Sequence, residues 1–376
     1  MRRKRYNILH LLKGFTRDVP LFLNSIRGTG SEKFNHTICY IHENQGFQNT
    51  LSDLGYEVIY LGFKKSSTKH INPYVAIKLS RVLKEKDIDI IHCQKHKPTV
   101  YGALASLAKK DISVISHVHG LDRTRTLFRK ITNSLLANRV SKFIGVSDAV
   151  SKDIIKSNWS IDPSKVITIR NGIDFNTIDK VSVSRQEVRA GLGLSQDDIV
   201  FGTVGRLAKT KGHIYLIDAF SNVIKKVPRS KLIIIGDGHL YNELKEEVEK
   251  LRISPYVLFL GFRNNVFELL RAFDIFVMPS IAEGLALALL EAMASRLPTI
   301  ASAVGGIPEV FGNEKIGKLI PSKNVAALEA AMMEISSLDR KMKMSLGETA
   351  RKRVEDEFSI DLMCRKLISL YESLLK

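Results

Sequence analysis

The sequence predicts an α/β fold built on parallel sheets and divided into two domains. Three observations carry this. Short apolar runs alternate with helical patterns along the chain, as strand–helix–strand units do. Glycine-bearing or polar turns follow several of those runs, at the strand ends where ligands of such sheets gather. The 376 residues, 44% of them apolar, are enough for two cores of ordinary size.

In the first half, strands are predicted at Asn7–Leu11, His36–Ile41, Glu57–Tyr60, Ile88–His92, Ser113–His117, Lys142–Val146 and Val166–Ile169, with helical patterns between them, as at Pro73–Glu85 and Thr99–Lys109. The opening Arg2-Arg-Lys-Arg5 and Tyr6–Leu12 imitate a secretory leader only briefly. The apolar part is short, holds Asn7 and His10, and ends in Lys13-Gly14 without a small-residue cleavage site. It reads as a first strand with a basic preface. Three features fall at carboxyl ends of strands: Lys13-Gly14, His92 to Lys97, and His117-Val-His119-Gly120. His119 is the candidate site residue among them. Asp87-Ile-Asp89 has the look of a metal-binding pair but precedes its strand, at the opposite edge of the sheet.

The stretch Arg123–Val140 places Leu127, Ile131 and Leu135 on one helical face, with Arg123, Arg125, Arg129, Lys130 and Arg139 as its cations. Two expectations stay open: a helix packed on the first domain with a solvated basic face, or a basic amphipathic element at a membrane surface. Arg170-Asn-Gly-Ile-Asp174 is a turn, and the polar stretch Asn176–Asp198 separates the halves.

The second half restarts with Ile199–Val204 and the loop Gly205-Arg206-Leu-Ala-Lys-Thr-Lys211-Gly212. Cations beside glycines at a strand's carboxyl end suit a pyrophosphate. The Gly-Lys-Ser/Thr ending of a Walker loop is absent. Leu232-Ile-Ile-Ile-Gly236-Asp-Gly238 is a further strand and glycine turn, but Tyr241 stands where a dinucleotide fingerprint needs glycine, which disfavours NAD. Strands follow at Val257–Gly261, Ile275–Met278 and Thr299 onward, the last leading into Gly305-Gly-Ile-Pro-Glu309. The remainder reads as helix: Asn324–Ile335, Ser337–Phe358 and Ser359–Lys376.

Between two of these strands lies Pro279-Ser-Ile-Ala-Glu283-Gly-Leu-Ala-Leu-Ala-Leu-Leu-Glu291. Glu283 is expected at a helix start, where unpaired backbone N–H groups attract anions. Glu291 is expected inside the apolar helix, where a charge is costly without a partner. If the whole segment were helical, the two carboxylates would stand ~12 Å apart at ~1.5 Å per residue. That is wider than the ~5–9.5 Å of a hydrolytic pair and suits two ends of an elongated ligand.

The formal charge of +18 is uneven. Residues 1–180 hold 30 basic and 15 acidic side chains, residues 181–376 hold 27 and 24. A basic first half points to an anionic acceptor or an anionic membrane surface. No nucleic-acid recognition motif accompanies it. The three cysteines, Cys39, Cys93 and Cys364, show no metal or redox spacing, so a reducing cytoplasm is expected. No apolar run reaches the ~18–20 residues of a membrane span.

Taken together, Gly205-Arg-Leu-x-x-x-Lys-Gly212, Ile235-Gly-x-Gly238, Pro279-Ser-x-x-Glu283-Gly through Glu291-Ala-Met-Ala, and Gly305-Gly-x-Pro-Glu309 resemble the retaining glycosyltransferases of GT-B fold, family 4 (glycosyl transferases group 1). Val146-Ser147, Asn171-Gly-Ile-Asp174 and the closing Phe358-Ser to Leu370-Tyr371 fit the same pattern. The resemblance implies two Rossmann-like domains facing across a cleft: residues 1–178 on the acceptor side, 179–358 on the donor side, and a helix at 359–376 crossing back to the first. It implies a nucleotide-sugar donor, UDP-linked, and a glycan or lipid-linked acceptor in cell-envelope polysaccharide or lipopolysaccharide biosynthesis. The enzyme would be cytoplasmic, with peripheral contact to the inner face of the membrane. Arg206 and Lys211 would neutralise the leaving diphosphate, Glu291 would hold the ribose hydroxyls, and Glu283 would contact the transferred sugar. His119 would lie beside that sugar. Gly14, Gly236, Gly284, Leu285, Ala286 and Leu287 complete the implied donor contacts. No metal or other cofactor is implied. Two departures stand out: Phe15-Thr16-Arg17 follows Gly14 where a second glycine is frequent, and Ala286 replaces a frequent glycine. The resemblance also leaves room for a catalytically silent scaffold at the membrane or a sugar-nucleotide epimerase.

Overall fold

A computed structural model describes residues 5–14, 26, 28–30, 33–44, 46, 49–121 and 126–375. The basic preface at 2–4, the Phe15-Thr16-Arg17 departure, and Arg123 and Arg125 lie outside the described residues. The chain divides into two compact units, Met1–Gly172 with Ile360–Lys376, and Ile173–Ser359.

In the first unit, β1 (Tyr6–Leu12), β2 (Phe34–His42), β3 (Glu57–Phe63), β4 (Ile90–Gln94), β5 (Ser113–Val118), β6 (Lys142–Gly145) and β7 (Val166–Thr168) form one sheet in the order β3-β2-β1-β4-β5-β6-β7. Every pairing in it is parallel. Near-continuous apolar runs such as Ile90-Ile91 and Val114-Ile115 are what a strand buried on both faces needs. β4 begins later than the expected Ile88. Asp87 turns the chain at φ +44°, and Asp89 accepts the Asn7 N–H at 2.8 Å before the strand starts. The strand order reverses between β1 and β4, the switch point at which α/β sheets take ligands.

Helices cover this sheet: α1 (Pro73–Glu85), α2 (His96–Ala105), α3 (Leu127–Leu136) and α4 (Asp148–Ser157). α1 matches its expected span because Asn72 caps it and Pro73 occupies its first turn. The second unit carries α5 (His213–Lys226), α6 (Leu287–Ala294), α7 (Val325–Ser337) and α8 (Arg340–Glu357). The chain then returns to the first unit as α9 (Ile360–Leu374). Met363, Cys364, Leu367, Leu370 and Tyr371 share a helical face and enter the core formed by Ile8, Phe34, Ile90, Ile115 and Ile144.

In the second unit, β8 (Ile199–Val204), β9 (Ser230–Ile235), β10 (Val257–Gly261), β11 (Ile275–Met278), β12 (Thr299–Ser302) and β13 (Gly317–Ile320) pair in the order β10-β9-β8-β11-β12-β13. The first unit's order is thereby repeated, with the reversal between β8 and β11. β13 was not expected. It is short and lies at the sheet edge, and it opens on Gly317 at φ +153°, where an added Cβ would come within 1.8 Å of the Thr299 carbonyl oxygen.

The polar stretch before β8 does more than separate the halves. Arg189 is fully buried. It donates to the carbonyls of Ala272, Ser195, Gln196 and Asp198 and to the Asp274 carboxylate at 2.6 Å. Asp274 also accepts from Arg185 at 2.6 Å and from the Val200 N–H at 2.8 Å. A buried charge satisfied this fully fixes where β11 begins, and β11 leads directly to Glu283.

Candidate active site

In the second unit the carboxyl ends of β8 and β11, the two strands at the switch point, present the cationic loop and the glutamate loop. The loops are fastened by their backbones: Ile281 N–H donates to the Thr210 carbonyl at 2.8 Å. Their closeness explains Gly212. It sits at φ +67°, and a Cβ there would meet the Pro279 carbonyl oxygen at 2.1 Å. Gly236 plays the matching part on the other side. At φ +139° its missing Cβ lets the β9 turn approach the Gly205 carbonyl oxygen, which a methyl would meet at 1.9 Å.

Lys211 and Glu283 meet directly, Nζ to Oε1 at 2.6 Å. Ser280 Oγ donates to the same Glu283 oxygen at 2.7 Å, and the Ser280 carbonyl is held in turn by Ser322 Oγ at 3.1 Å. The glutamate is therefore oriented by two donors and largely shielded. Arg206 is exposed and makes no hydrogen bond or ion pair among the described residues, so its five N–H donors remain open to a ligand. Its neighbour Gly205 lies against the Lys211 stem, with an added Cβ 3.7 Å from Cε.

The sequence placed Glu283 at a helix start. The helix α6 begins only at Leu287, and Glu283 stands on the preceding loop, held there by Lys211, Ser280 and the Thr210 contact. The fully helical spacing of the two glutamates therefore does not apply. Leu285 and Ala286 are buried, so their side chains are turned inward and only backbone is offered to a ligand. No side chain caps α6. Its first N–H groups, at Leu287 and Ala288, are left for an anion or hydroxyl.

Glu291 projects from the middle of α6 and has no hydrogen-bond or ion-pair partner among the described residues. Part of its surface is exposed, but desolvation by the packing around it pushes its carboxyl up to about 7. A carboxyl in that state is poised to gain from hydroxyl donors, which favour its charged form.

In the first unit, the edge features gather around β1, β4 and β5. Gly14 lies against the His42 ring, with an added Cβ 3.1 Å from Nδ1. His119 Nε2 pairs with Gln94 Oε1 at 2.7 Å, and its ring stacks on His117 at 4.5 Å between centroids. Because an amide oxygen only accepts, His119 donates from Nε2 in this pair. Behind it runs a row of histidines across adjacent strands. His36 Nδ1 and His10 Nε2 are 2.9 Å apart, His10 and His92 face each other with centroids 5.3 Å apart, and His92 Nε2 meets His117 Nδ1 at 3.0 Å. Tyr371 of α9 closes the row through its hydroxyl, 2.7 Å from His92 Nδ1. Burial first, and neighbouring imidazoles second, hold His10 and His92 well below the usual histidine range; burial lowers His36 to about 4. His10, His36 and His92 are therefore neutral at physiological pH.

Sequence reasoning missed Gln94, Ser280 and the histidine row. Each of the four histidines sits within or at the edge of an expected strand, so aligning the strands at the switch point was the signal available. Asp87 and Asp89 are engaged structurally, Asp87 with Lys109 at 2.7 Å and Asp89 with Asn7. Among the described residues no group of three or more His, Cys, Asp or Glu is arranged to hold a metal ion.

Comparison with known proteins adds a family to this geometry. Residues 184–353 match the family described as glycosyl transferases group 1, and residues 27–177 match Glycosyltransferase Family 4. The Escherichia coli UDP-Gal:alpha-D-GlcNAc-diphosphoundecaprenol alpha-1,3-galactosyltransferase is 29% identical over 305 residues, 78% of each chain. The Bacillus subtilis glycosyltransferase EpsD is 30% identical over 290 residues, 73% of this chain and 74% of its own. Among solved structures, Anabaena HepE in complex with UDP superposes with a TM-score of 0.84 at 22% identity, covering 98% of this chain and 100% of that one.

Proposed function

This chain belongs to the family 4 glycosyltransferases of GT-B fold, and we propose that it moves a hexose-type sugar from a UDP-linked donor to a glycan or lipid-linked acceptor with retained configuration. The observation that carries the reading is the Lys211–Glu283–Ser280 cluster beside an open Arg206, on the two strands of the second unit's switch point. The E. coli relative, named for a UDP-galactose donor and a diphosphoundecaprenol-linked acceptor, supports the choice of donor and acceptor class.

In the proposed reaction the bond from the anomeric carbon to the diphosphate oxygen breaks and a bond to the acceptor hydroxyl forms on the same face. Arg206 and Lys211 take up the negative charge that grows on the leaving diphosphate, stabilisation that is largest in the transition state. Lys211 has three donors and spends one on Glu283, so it serves both groups. Glu283 faces the sugar as positive charge develops there. Glu291 accepts from the ribose hydroxyls, and the backbone from Gly284 to Leu287 meets phosphate or sugar oxygens. His119, held by Gln94, stands at the ligand edge of the first unit's sheet. The acceptor's proton passes to a departing phosphate oxygen, so no separate strong base is needed. Two side-chain cations fill the part a divalent metal would otherwise take. The reading sets the enzyme in the cytoplasm, working on cell-envelope glycans at the inner face of the membrane. Among the described residues no helix is long and apolar enough to cross a membrane.

The test is a panel of nucleotide sugars offered with lipid-linked acceptors in the presence of a chelator. Transfer from a UDP-sugar, with the product's anomeric proton showing the donor's configuration, is the expected result. An inverted product, or transfer abolished by the chelator, sinks the mechanism.

A further inference from the structure

The apolar stripe of α3 faces away from the unit it belongs to. Leu127, Ile131 and Leu135 recur every four residues and so lie along one side of the helix. They are 72%, 51% and 78% exposed. The contacts that hold this segment down lie elsewhere: Thr132, Ala137 and Val140 are buried, Asn133 Nδ2 donates to Asn158 Oδ1 at 3.0 Å, and Ser160 Oγ donates to Ser134 Oγ at 2.6 Å. The last two bonds bring the 158–160 loop against α3, and between their anchor points stands Trp159, the chain's only tryptophan, 87% exposed. Ile155 of α4, four residues earlier, is also exposed. Monomeric surfaces rarely leave so many large apolar side chains together in water without a partner.

The charges around the stripe identify that partner. Arg129, Lys130, Lys152 and Lys156 are exposed on α3 and α4, and no Asp or Glu occurs from Thr126 to Ser147. Asp148 is engaged by Arg170 at 2.7 Å. An apolar stripe flanked by cations is the pattern of a helix lying in a lipid interface, and a tryptophan at its rim fits the headgroup level. A second copy of the chain is the poorer partner: a two-fold contact would bring the same cations together from both sides.

We infer that Leu127, Ile131 and Leu135 of α3, with Trp159, form a docking surface that seats the first unit on an anionic lipid membrane. The inference rests on the proposed function only for a reason to visit the membrane, namely a lipid-linked acceptor. Apolar side chains enter the interface, Arg129, Lys130, Lys152 and Lys156 meet lipid phosphates, and the sheet's ligand edge is brought to acceptor headgroups.

The single tryptophan makes the test direct. The full chain is mixed with phosphatidylglycerol–phosphatidylcholine vesicles at about 0.15 M salt, where surface charge alone is substantially screened. Trp159 emission is expected to shift to the blue and to be quenched by brominated lipid. The L127E/L135E variant is expected to lose at least ~10-fold in vesicle partition, because burial of the stripe supplies much of the binding, while nucleoside-diphosphate release from a water-soluble donor stays unchanged. Vesicle binding without any change in Trp159 emission, or equal partition of L127E/L135E, overturns the inference. So does a dimer in solution that L127E/L135E dissolves while vesicles bind neither form. Absence of donor turnover with vesicle binding intact contradicts the proposed function and leaves this surface standing.

Discussion

Replacing Glu291 by Gln separates the cost of a desolvated carboxyl from its use. Burial lifts this group from 4.5 to about 7. Between those values the folded chain keeps a proton that the unfolded chain has released, so folding stability falls as pH rises through that window. At ~1.36 kcal/mol per unit, the full penalty above pH 7 is about 3 kcal/mol. Gln keeps the size of the side chain and does not titrate. Urea unfolding of both proteins at pH 5 and pH 8 is therefore expected to show the gap widening by roughly 2–3 kcal/mol in favour of Glu291→Gln. The same carboxyl is expected to bind ribose hydroxyls as the anion, so UDP affinity of the natural protein rises from pH 5 to pH 8 with release of a proton. The Gln variant binds more weakly and loses that slope. A stability gap that is constant from pH 5 to pH 8 refutes the desolvated carboxyl. A UDP affinity whose pH dependence survives the substitution refutes its role at the ribose.

Two further substitutions probe what holds the site in place. Arg189→Leu leaves Asp274 with Arg185 and the Val200 N–H and strands the carbonyls of Ala272, Ser195, Gln196 and Asp198; a loss of about 3–5 kcal/mol is expected by urea unfolding, and a change under 1 kcal/mol contradicts the anchoring of β11. Tyr371→Phe removes the hydroxyl that meets His92 inside the first unit. It is expected to cost about 1–3 kcal/mol and to leave UDP affinity unchanged, because the donor contacts lie on the second unit; weakened UDP binding speaks against that division.

Much of the fold was legible because buried parallel strands are near-continuous apolar runs. β1, β2, β4, β5, β8 and β9 announce themselves in this way, and Asn72-Pro73 marks the start of α1. β13 escaped because four residues beginning with glycine carry no such run. The site was legible in part. Arg206, Lys211, Glu283 and Glu291 stood out as charges beside glycines or among apolar residues. Their pairing did not, since Lys211 and Glu283 meet through two loops whose approach depends on Gly212 and Pro279. The histidine row illustrates the same limit: His10, His36, His92 and His117 come together only once strand order and register are known. The α3 stripe shows it from the other side, since periodicity identified an apolar face without saying that the face is turned to solvent.

The most direct test of the central claim is nucleoside-diphosphate release from a UDP-sugar in the presence of acceptor, compared between the natural protein and Arg206→Ala. Arg206 is exposed and makes no hydrogen bond or ion pair among the described residues that its loss would break, so the variant is expected to fold normally and to bind acceptor. Loss of one preorganised cation at the leaving group is expected to cost ~100-fold or more in turnover. Equal turnover in the two proteins contradicts the claim that the loop after β8 carries the departing diphosphate.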